Sequence, residues 1–549
     1  MRFLVLTGGA VVVVLLGVAL LAAGGVPGDI GAVVLALLLC LAIYDLVQRR
    51  HSILRNYPLA GHLRFLFEAI RPEIQQYFIE RNYDGRPYDR DTRTVIYERA
   101  KGIHGEQAFG TERDVAEPGY EWLLHTNAPL DPPEAQPRVR IGGPECTQPY
   151  DMALLNVSAM SFGALSANAI RALNGGARLG GFAHDTGEGG LTKYHLENGG
   201  DLIWEIGSGY FGARTKDGRF DPDLFREKAA HEQVKCVSVK LSQGAKPGIG
   251  GVLPGAKVSA EIAEARGVPK GQKCVSPSHH SAFSTPRELV RFLAEMRRLA
   301  GGKPTGFKLC IGARHEFLAI CKAMLAEGTA PDFIVVDGSE GGTGAAPQEY
   351  EDHVGTPLTE GLMMVHNALV GTGLRDRIRI GASGKVATGS DIVKRLAQGA
   401  DYTNAARAMM MAVGCIQAQV CHTNKCPVGV TTQDARRARA LDVPDKTLRV
   451  KRFQEATVAQ AQQIIGSMGA DSPAEIRPWM LIRRVDEVTT ASFADLYEWL
   501  EPGELLAAPP PSWAADWQRA DPDSFKARRP ARASSDGGTL DKPKAGVTR

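Results

Sequence analysis

Cysteine and excess charge are both scarce in this chain, and each scarcity removes a class of protein. Nine cysteines in 549 residues are too few for a disulfide-built secreted scaffold. Six of them, Cys40, Cys146, Cys236, Cys274, Cys310 and Cys321, stand singly and mostly within apolar runs, as buried free thiols do in a reducing compartment. A net charge of +3, dispersed along the chain, gives no footing for nucleic-acid binding. No strand leads into G-x-G-x-x-G with an acidic residue beyond it. The stretch Gly248–Gly255 contains Pro254 and follows no apolar strand directly, so a nicotinamide-binding Rossmann domain is not supported. Aromatic residues make up a modest 7%, whereas glycine, at 61 residues, is abundant and suits an enzyme with many tight loops.

The remaining cysteines are grouped. Cys415, Cys421 and Cys426 lie in GCIQAQVCHTNKCPVGV, and Pro427 follows the last of them. An iron-sulfur cluster needs several soft thiolates from a short, bent piece of backbone, and three ligands suit a 3Fe-4S centre or a 4Fe-4S centre with one foreign ligand. Zinc would need a fourth ligand; His422 is available, but it neighbours Cys421 and the gaps match no common zinc ribbon. A disulfide is the third alternative.

The N-terminus reads as a separate physical object. Phe3–Ala23 carries no charge and has about the length that crosses the ~30 Å hydrocarbon core of a bilayer. The turn-like GGVPGD then leads into a second apolar run, Ile30–Val47. Residues 1–50 are therefore expected to form a transmembrane hairpin. Arg2 precedes it, Arg49, Arg50 and Arg55 follow it, and the turn has no Lys or Arg, so both ends and the catalytic bulk are placed on the cytoplasmic side of the inner membrane. The competing reading is a signal peptide cleaved near Leu21–Gly25, but its n-region would hold one Arg and the second span would go unexplained.

Residues 51–148 read as a helical cap, with apolar positions recurring at three and four in LRFLFEAIRPEIQQYFIE. Over 149–440 the pattern changes. ALLNVSAM, KCVSVKLS, TGFKLCI, DFIVVDG and RIRIGASG are short apolar runs bounded by turn signals and separated by helical stretches, which predicts a parallel sheet and, at this length, a (β/α)8 barrel. Residues 441–506 read as helical, and 507–549, rich in Pro, Ala, Arg and Asp, as a disordered tail. Two loops look like phosphate sites: Asp337–Pro347 after FIVVD, whose glycines let backbone N–H groups turn toward one anion, and the turn after RIRIGAS, which leads into a helix starting near Ser390. That is the layout of the last barrel strands where a flavin mononucleotide or sugar phosphate binds.

At this point a resemblance emerges. SAMSFGALS, DTGEGG, QGAKPGIGGVLPG, SPSHHSAFS, GGTGAAP, HNALVGTGLRDRI, GKVATGSDIV and the cysteine motif occur in the order found in the FMN-binding synthase domain of glutamate synthase. The resemblance covers roughly Leu154–Gln433 and implies a barrel that binds FMN and a 3Fe-4S cluster and reductively aminates 2-oxoglutarate to glutamate. It places the cluster ligands on Cys415, Cys421 and Cys426. It implies flavin contacts at Ser158, Ala159, Lys308, Asp337, Gly338, Gly341, Gly342, Thr343, Gly344, Gly384, Ala405 and Ala406. It implies that Lys246 and Arg266 anchor the substrate, that Glu188 is the active-site acid, and that Lys308 stabilises the anionic edge of reduced flavin. Such chemistry needs cations for two carboxylates and a proton-transfer group near the imine. His279 or His280 could face the pocket or hold their loop.

The chain also departs from the family. Val252 stands where the family has a substrate-contacting Gln, which puts the identity of the 2-oxo acid in doubt. The family's amidotransferase domain, with its N-terminal cysteine nucleophile, is replaced by the apolar hairpin, so ammonia is expected from solution or from glutamine through another subunit. The favoured expectation is a membrane-tethered FMN and iron-sulfur oxidoreductase drawing electrons from a ferredoxin or another redox protein. A flavin-dependent 2-hydroxy-acid oxidase or isomerase, and an electron-carrying module of a membrane complex, are the alternatives.

Overall fold

The computed structural model describes residues 17–527 apart from 20, 23 and 104. The chain divides into two compact units, with the boundary between Asp91 and Thr92.

In the first unit one helix, Gly25–Val47, is long and apolar enough over Gly28–Val47 to cross a membrane, and its side chains are mostly exposed. It begins within the stretch expected to be a turn: Gly24 takes a left-handed φ of 66° and the helix runs from the next residue. Much of the first expected span, residues 3–16, lies outside the described residues; among the described residues one helix is long and apolar enough to cross a membrane, where two spans were expected. The end of this helix is tied to the segment beyond it. Asp45 is fully buried, accepts from the Leu59 N–H at 2.9 Å and pairs with His62 Nε2 at 3.0 Å. A short helix, Ser52–Asn56, then leads to Gly61–Ile74, which continues through a wider turn, Gln75–Ile79.

The second unit is built on a closed barrel of eight parallel strands. They are β1 Leu155–Val157, β2 His184–Asp185, β3 Leu202–Ile206, β4 Val234–Lys240, β5 Thr305–Leu309, β6 Phe333–Asp337, β7 Arg379–Ser383 and β8 Tyr402–Ala405. Each pairs with the next in sequence and β8 pairs with β1 to close the ring, as βαβ crossovers of one hand require. Strand alternation sorts the side chains. Trp204, Ile206, Val237, Val239, Phe307, Ile334, Val336 and Ile380 join the large core under the helices. The intervening Ile203, Cys236, Phe333, Val335 and Tyr402 form a second cluster inside the barrel. Ile141 and Met152, from an antiparallel hairpin of Arg138–Ile141 and Tyr150–Ala153, join this inner cluster and plug the amino end of the barrel.

Around the barrel, helix Val443–Ser467 lies against Ala167–Gly180, where glycine permits the approach: a Cβ on Gly176 would sit 2.5 Å from Val450 Cγ1. The flanking segments expected to be helical also hold strands. Glu121–Leu123, Leu481–Arg484 and Thr490–Ser492 form a three-stranded antiparallel sheet. The expected disordered tail is folded as far as 527. Helix Pro511–Arg519 buries Trp513 in the large core, Arg314 stacks 4.5 Å over that ring, and Asp523 pairs with Arg287 at 2.6 Å. Two tryptophans four residues apart supply the apolar stripe that the composition of the tail conceals. Residues 528–549 lie outside the described residues.

Candidate functional site at the carboxyl end of the barrel

Toward the carboxyl ends of the strands the barrel interior changes from apolar to ionic. Lys308 on β5 is buried, with its Nζ 3.6 Å from Asp337 at the end of β6 and 4.0 Å from Glu205 on β3. Burial pushes the Lys308 ammonium toward neutrality, but Asp337, Glu205 and Asp185 outweigh it and raise its pKa above the ordinary lysine value. Burial and mutual repulsion hold Asp185 well above the usual carboxylate range, and burial raises Glu205 as well. The Asp337 carboxylate also accepts from the Gly244 N–H at 2.8 Å. Gly244 has no room for a side chain, since a Cβ there would lie 1.9 Å from the Gly338 carbonyl.

Above this layer the structure gathers the residues implied for substrate. Glu188, in the loop after β2, pairs with Lys240 at the end of β4 at 3.0 Å. Burial pushes the Glu188 carboxyl up, yet Lys240, Arg266 and Lys246 together hold it below the usual range. Lys246 is buried and donates to the Ala345 carbonyl at 2.8 Å. Burial, reinforced by Lys240, lowers its pKa to about 8. Arg266, carried by helix Ala260–Arg266 in the long excursion between β4 and β5, donates to the Phe162 carbonyl at 3.1 Å and stacks 5.0 Å over Phe211. Three cations thus surround one carboxylate, an arrangement able to hold a dianion while keeping a base ionised.

Lys240 and Glu205 were missed by the sequence reading, although both sit at or next to the carboxyl end of a strand, the position that signals chemistry in this fold. His280 holds its loop. Its Nε2 lies 2.8 Å from the Lys240 carbonyl, its Nδ1 lies 3.1 Å from the Tyr210 hydroxyl, and burial lowers its pKa to about 4. The ring is therefore neutral, donating from Nε2 and accepting at Nδ1. His279 is exposed. Val252 lies in a two-residue strand paired with Cys274–Val275, directly after Gly251, whose absent Cβ would be 1.8 Å from Glu188 Oε1.

The residues implied for flavin contact sit on one rim. Ser158 and Ala159 follow β1, Asp337 and Gly338 end β6, Gly384 follows β7, and Ala405 and Ala406 end β8. Ser158 Oγ and Ser383 Oγ are 3.2 Å apart, and the Gly338 N–H donates to the Ser383 carbonyl. FMN fits this rim on two grounds. A Cβ at Gly344 would meet nothing within 4 Å, so the loop after β6 faces open space. Asn404 Oδ1, on β8 next to Ala405, is buried without a hydrogen-bond partner among the described residues, where a donor on a bound heterocycle would satisfy it. The two expected phosphate loops are partly engaged with themselves. The Gly341 N–H is spent on the Gly338 carbonyl, and the helix after β7, Gly389–Ala397, is capped by its own residues. Asp391 accepts from the N–H groups of Ala387 and Thr388 and donates its own N–H to the Thr388 hydroxyl, so the turn leading into this helix is satisfied internally. Arg407, which donates to the Glu340 carbonyl, instead ties the β6 loop to the end of β8.

Cys415, Cys421 and Cys426 share one bent loop in which Gln417, Gln419 and Asn424 all take left-handed φ. The thiols of Cys421 and Cys426 act electrostatically on Cys415, and all nine cysteines are free. Among the described residues, however, no three His, Cys, Asp or Glu side chains stand close enough together to hold a metal ion, so the expected ligands are neighbours that do not converge.

Residues 131–471 match the family model of the conserved region in glutamate synthase. The glutamate synthase large subunit-like protein YerD of Bacillus subtilis is 37% identical over 505 residues, which covers 83% of this chain and 95% of that protein. An archaeal-type glutamate synthase (NADPH) of Thermotoga neapolitana is 36% identical over 323 residues, 58% of this chain and 60% of that protein. The chain therefore spans about three fifths of the Thermotoga relative. Among solved structures, mandelate oxidase with (S)-2-phenylpropionate superposes at a TM-score of 0.40 with 15% identity, covering 73% of this chain and 98% of that one. That adds nothing to the barrel already evident from strand pairing.

Proposed function

The chain belongs to the glutamate synthase family, and from that membership we propose that it is an FMN-dependent oxidoreductase that reductively aminates 2-oxoglutarate, or a closely related 2-oxo acid, to the amino acid. The observation that carries the reading is the grouping of Lys240, Lys246 and Arg266 around Glu188, with Lys240 the cross-strand partner of the buried Lys308. Ammonia comes from solution or from a separate glutamine-hydrolysing subunit, and electrons from a ferredoxin or another redox protein.

FMN, held at the rim by the ends of β1, β6, β7 and β8, would supply the hydride chemistry; Cys415, Cys421 and Cys426 are the residues that would have to draw together to hold an iron-sulfur cluster. The chain's own residues do the rest. Lys246 and Arg266 bind the two carboxylates of the substrate, exchanging their present carbonyl partners for charge-assisted bonds. Glu188, kept ionised by Lys240, receives and returns the proton at the nitrogen of the condensing ammonia. Lys308 stays protonated between Asp337 and Glu205 and offsets negative charge appearing at the flavin rim. The cluster reading rests on donor chemistry, namely three free thiols in one bent loop. The apolar helix Gly25–Val47, followed by Arg49, Arg50 and Arg55, supports a membrane anchor with the barrel on the cytoplasmic side.

The test is anaerobic purification of the full chain in mild detergent, followed by an absorption spectrum, iron and sulfide analysis, and assay of glutamate formation from ammonia, 2-oxoglutarate and reduced ferredoxin. Bound flavin and turnover are expected; purified protein that neither carries nor takes up flavin would sink the reading.

A further inference from the structure

The segment Gly61–Ile79 turns an apolar face to solvent. Leu63, Leu66, Phe67, Ile70, Ile74 and Phe78 recur at the three- and four-residue spacing of one helix face, which in a soluble unit lies against a core. Here Phe78 is 85% exposed, Phe67 60% and Leu66 53%. So many large apolar side chains on one stripe mark a surface that something covers.

Three observations identify what covers it. First, the segment is held at the end of the apolar helix Gly25–Val47 by the buried Asp45, which accepts from the Leu59 N–H and pairs with His62. Its position is therefore fixed beside the one described helix that could cross a bilayer. Second, Arg49, Arg50, Arg55, Arg64 and Arg71 are all exposed around it, and among the described residues only Arg64 of the five has an acidic partner, Glu68 at 2.9 Å. Third, the stripe carries Phe67, Tyr77 and Phe78, aromatic residues that favour the boundary between headgroups and acyl chains.

We propose that Gly61–Ile79 lies flat in the cytoplasmic surface of an anionic lipid bilayer, with its apolar face at the acyl boundary and its arginines on the phosphates. At ~1.5 Å per residue this collar runs roughly 28 Å along the membrane plane. It rests on the reading of Gly25–Val47 as a membrane anchor, and it makes the anchorage two-part: a span that holds and a surface helix that orients.

The test uses the full chain in lipid nanodiscs of phosphatidylcholine and phosphatidylglycerol, carrying Phe67→Trp, Phe78→Trp or, as a control within the span, Leu37→Trp. The emission of each variant minus that of the parent is followed in lipids brominated near the headgroup or deep in the chain. Shallow bromine should quench the residue 67 and 78 signals about twofold or more, and deep bromine should quench the residue 37 signal. Omitting phosphatidylglycerol should reduce the quenching at 67 and 78; equal quenching would overturn the part given to the arginines. Quenching at 37 alone would overturn the collar and leave the anchor. An unquenched but blue-shifted signal at 67 would mean that protein, a second copy or the chain's other unit, covers the stripe, which also overturns it. No quenching at any position would remove the anchor and the collar together.

Discussion

Glu188 Oε1 and Lys240 Nζ meet at 3.0 Å with both side chains largely withdrawn from water, one from the loop after β2 and the other from the end of β4. Removing one charge strands the other in a site of low polarity, and breaking such a pair costs about 3–5 kcal/mol where neither partner can reach water. Glu188→Gln is expected to lower glutamate formation by about 10²–10⁴-fold with the flavin spectrum unchanged. The pH signature has a definite sign. Because the folded carboxyl lies below its ordinary value, its contribution to stability is fully present above about pH 4 and is lost as pH falls through the lower folded pKa. Acid unfolding curves of parent and variant should therefore converge at the acid end; a constant separation across all pH would contradict this.

Lys246 places a limit at the alkaline side. With a pKa lowered to about 8 by burial and by Lys240, it is mostly charged at pH 7 and mostly neutral at pH 9. A carboxylate needs the charged form, so the Kd for 2-oxoglutarate should rise as pH passes about 8, approaching tenfold per pH unit. Lys246→Arg, charged throughout, should flatten the profile. Flavin fluorescence titrations from pH 6.5 to 9.5 measure it, and an unchanged profile in the Arg variant would remove Lys246 from the anion site. For stability the sign is opposite to that of Glu188: the depressed ammonium destabilises the fold below about pH 8, and this penalty fades as pH rises toward the unfolded value of about 10.4.

Two glycines near the site should respond differently to the same substitution. A Cβ at Gly244 would meet the Gly338 carbonyl, a backbone atom fixed by its neighbours, whereas a Cβ at Gly251 would meet Glu188, a side chain. Gly244→Ala should therefore lower thermal stability and flavin content together. Gly251→Ala should leave flavin content near the parent level while lowering both turnover and thermal stability, since Glu188 must leave Lys240 to make room and the buried pair is broken. Flavin stoichiometry separates the two outcomes; equal flavin loss in both variants would mean that Glu188 cannot yield.

Val252 adjoins Glu188 through Gly251 and offers no polar group. A site with one fewer hydrogen bond discriminates less against 2-oxo acids lacking the matching group. Val252→Gln is expected to lower KM for 2-oxoglutarate by about 3–10-fold, the worth of one hydrogen bond of roughly 1 kcal/mol, with little change for monocarboxylic 2-oxo acids. Steady-state kinetics on a panel of 2-oxo acids test this, and an equal effect on all of them would show that residue 252 acts only by packing.

Much of the barrel was legible because β4, β5, β6 and β7 are apolar runs cut by turn signals. β2 was not, since two residues, His184–Asp185, carry no periodicity. The ionic core was half legible. Motifs pointed to Glu188, Lys246, Arg266 and Lys308, but Lys240 and Glu205 acquire meaning only once strand alternation turns them inward. At the helix start after β7, T-G-S-D already spelled a capping box, with Asp391 three residues after Thr388. Trp513 and Trp517 likewise carried the folded tail within a composition that suggested disorder.

The cysteine loop gives the last prediction. Cys426 is buried, whereas Cys415 and Cys421 are partly open, and the loop between them holds three left-handed residues that only a fixed structure would maintain. If the thiols hold a cluster, Cys421→Ser should abolish protein-bound iron and acid-labile sulfide while leaving about one flavin per chain, because the flavin rim is built from the ends of β1, β6, β7 and β8. Glutamate formation with reduced ferredoxin should then fail while dithionite still bleaches the flavin. Loss of flavin together with iron would mean that the loop chiefly supports the barrel. Iron absent from the parent as well, in anaerobically prepared protein, would leave the three thiols without a metal role.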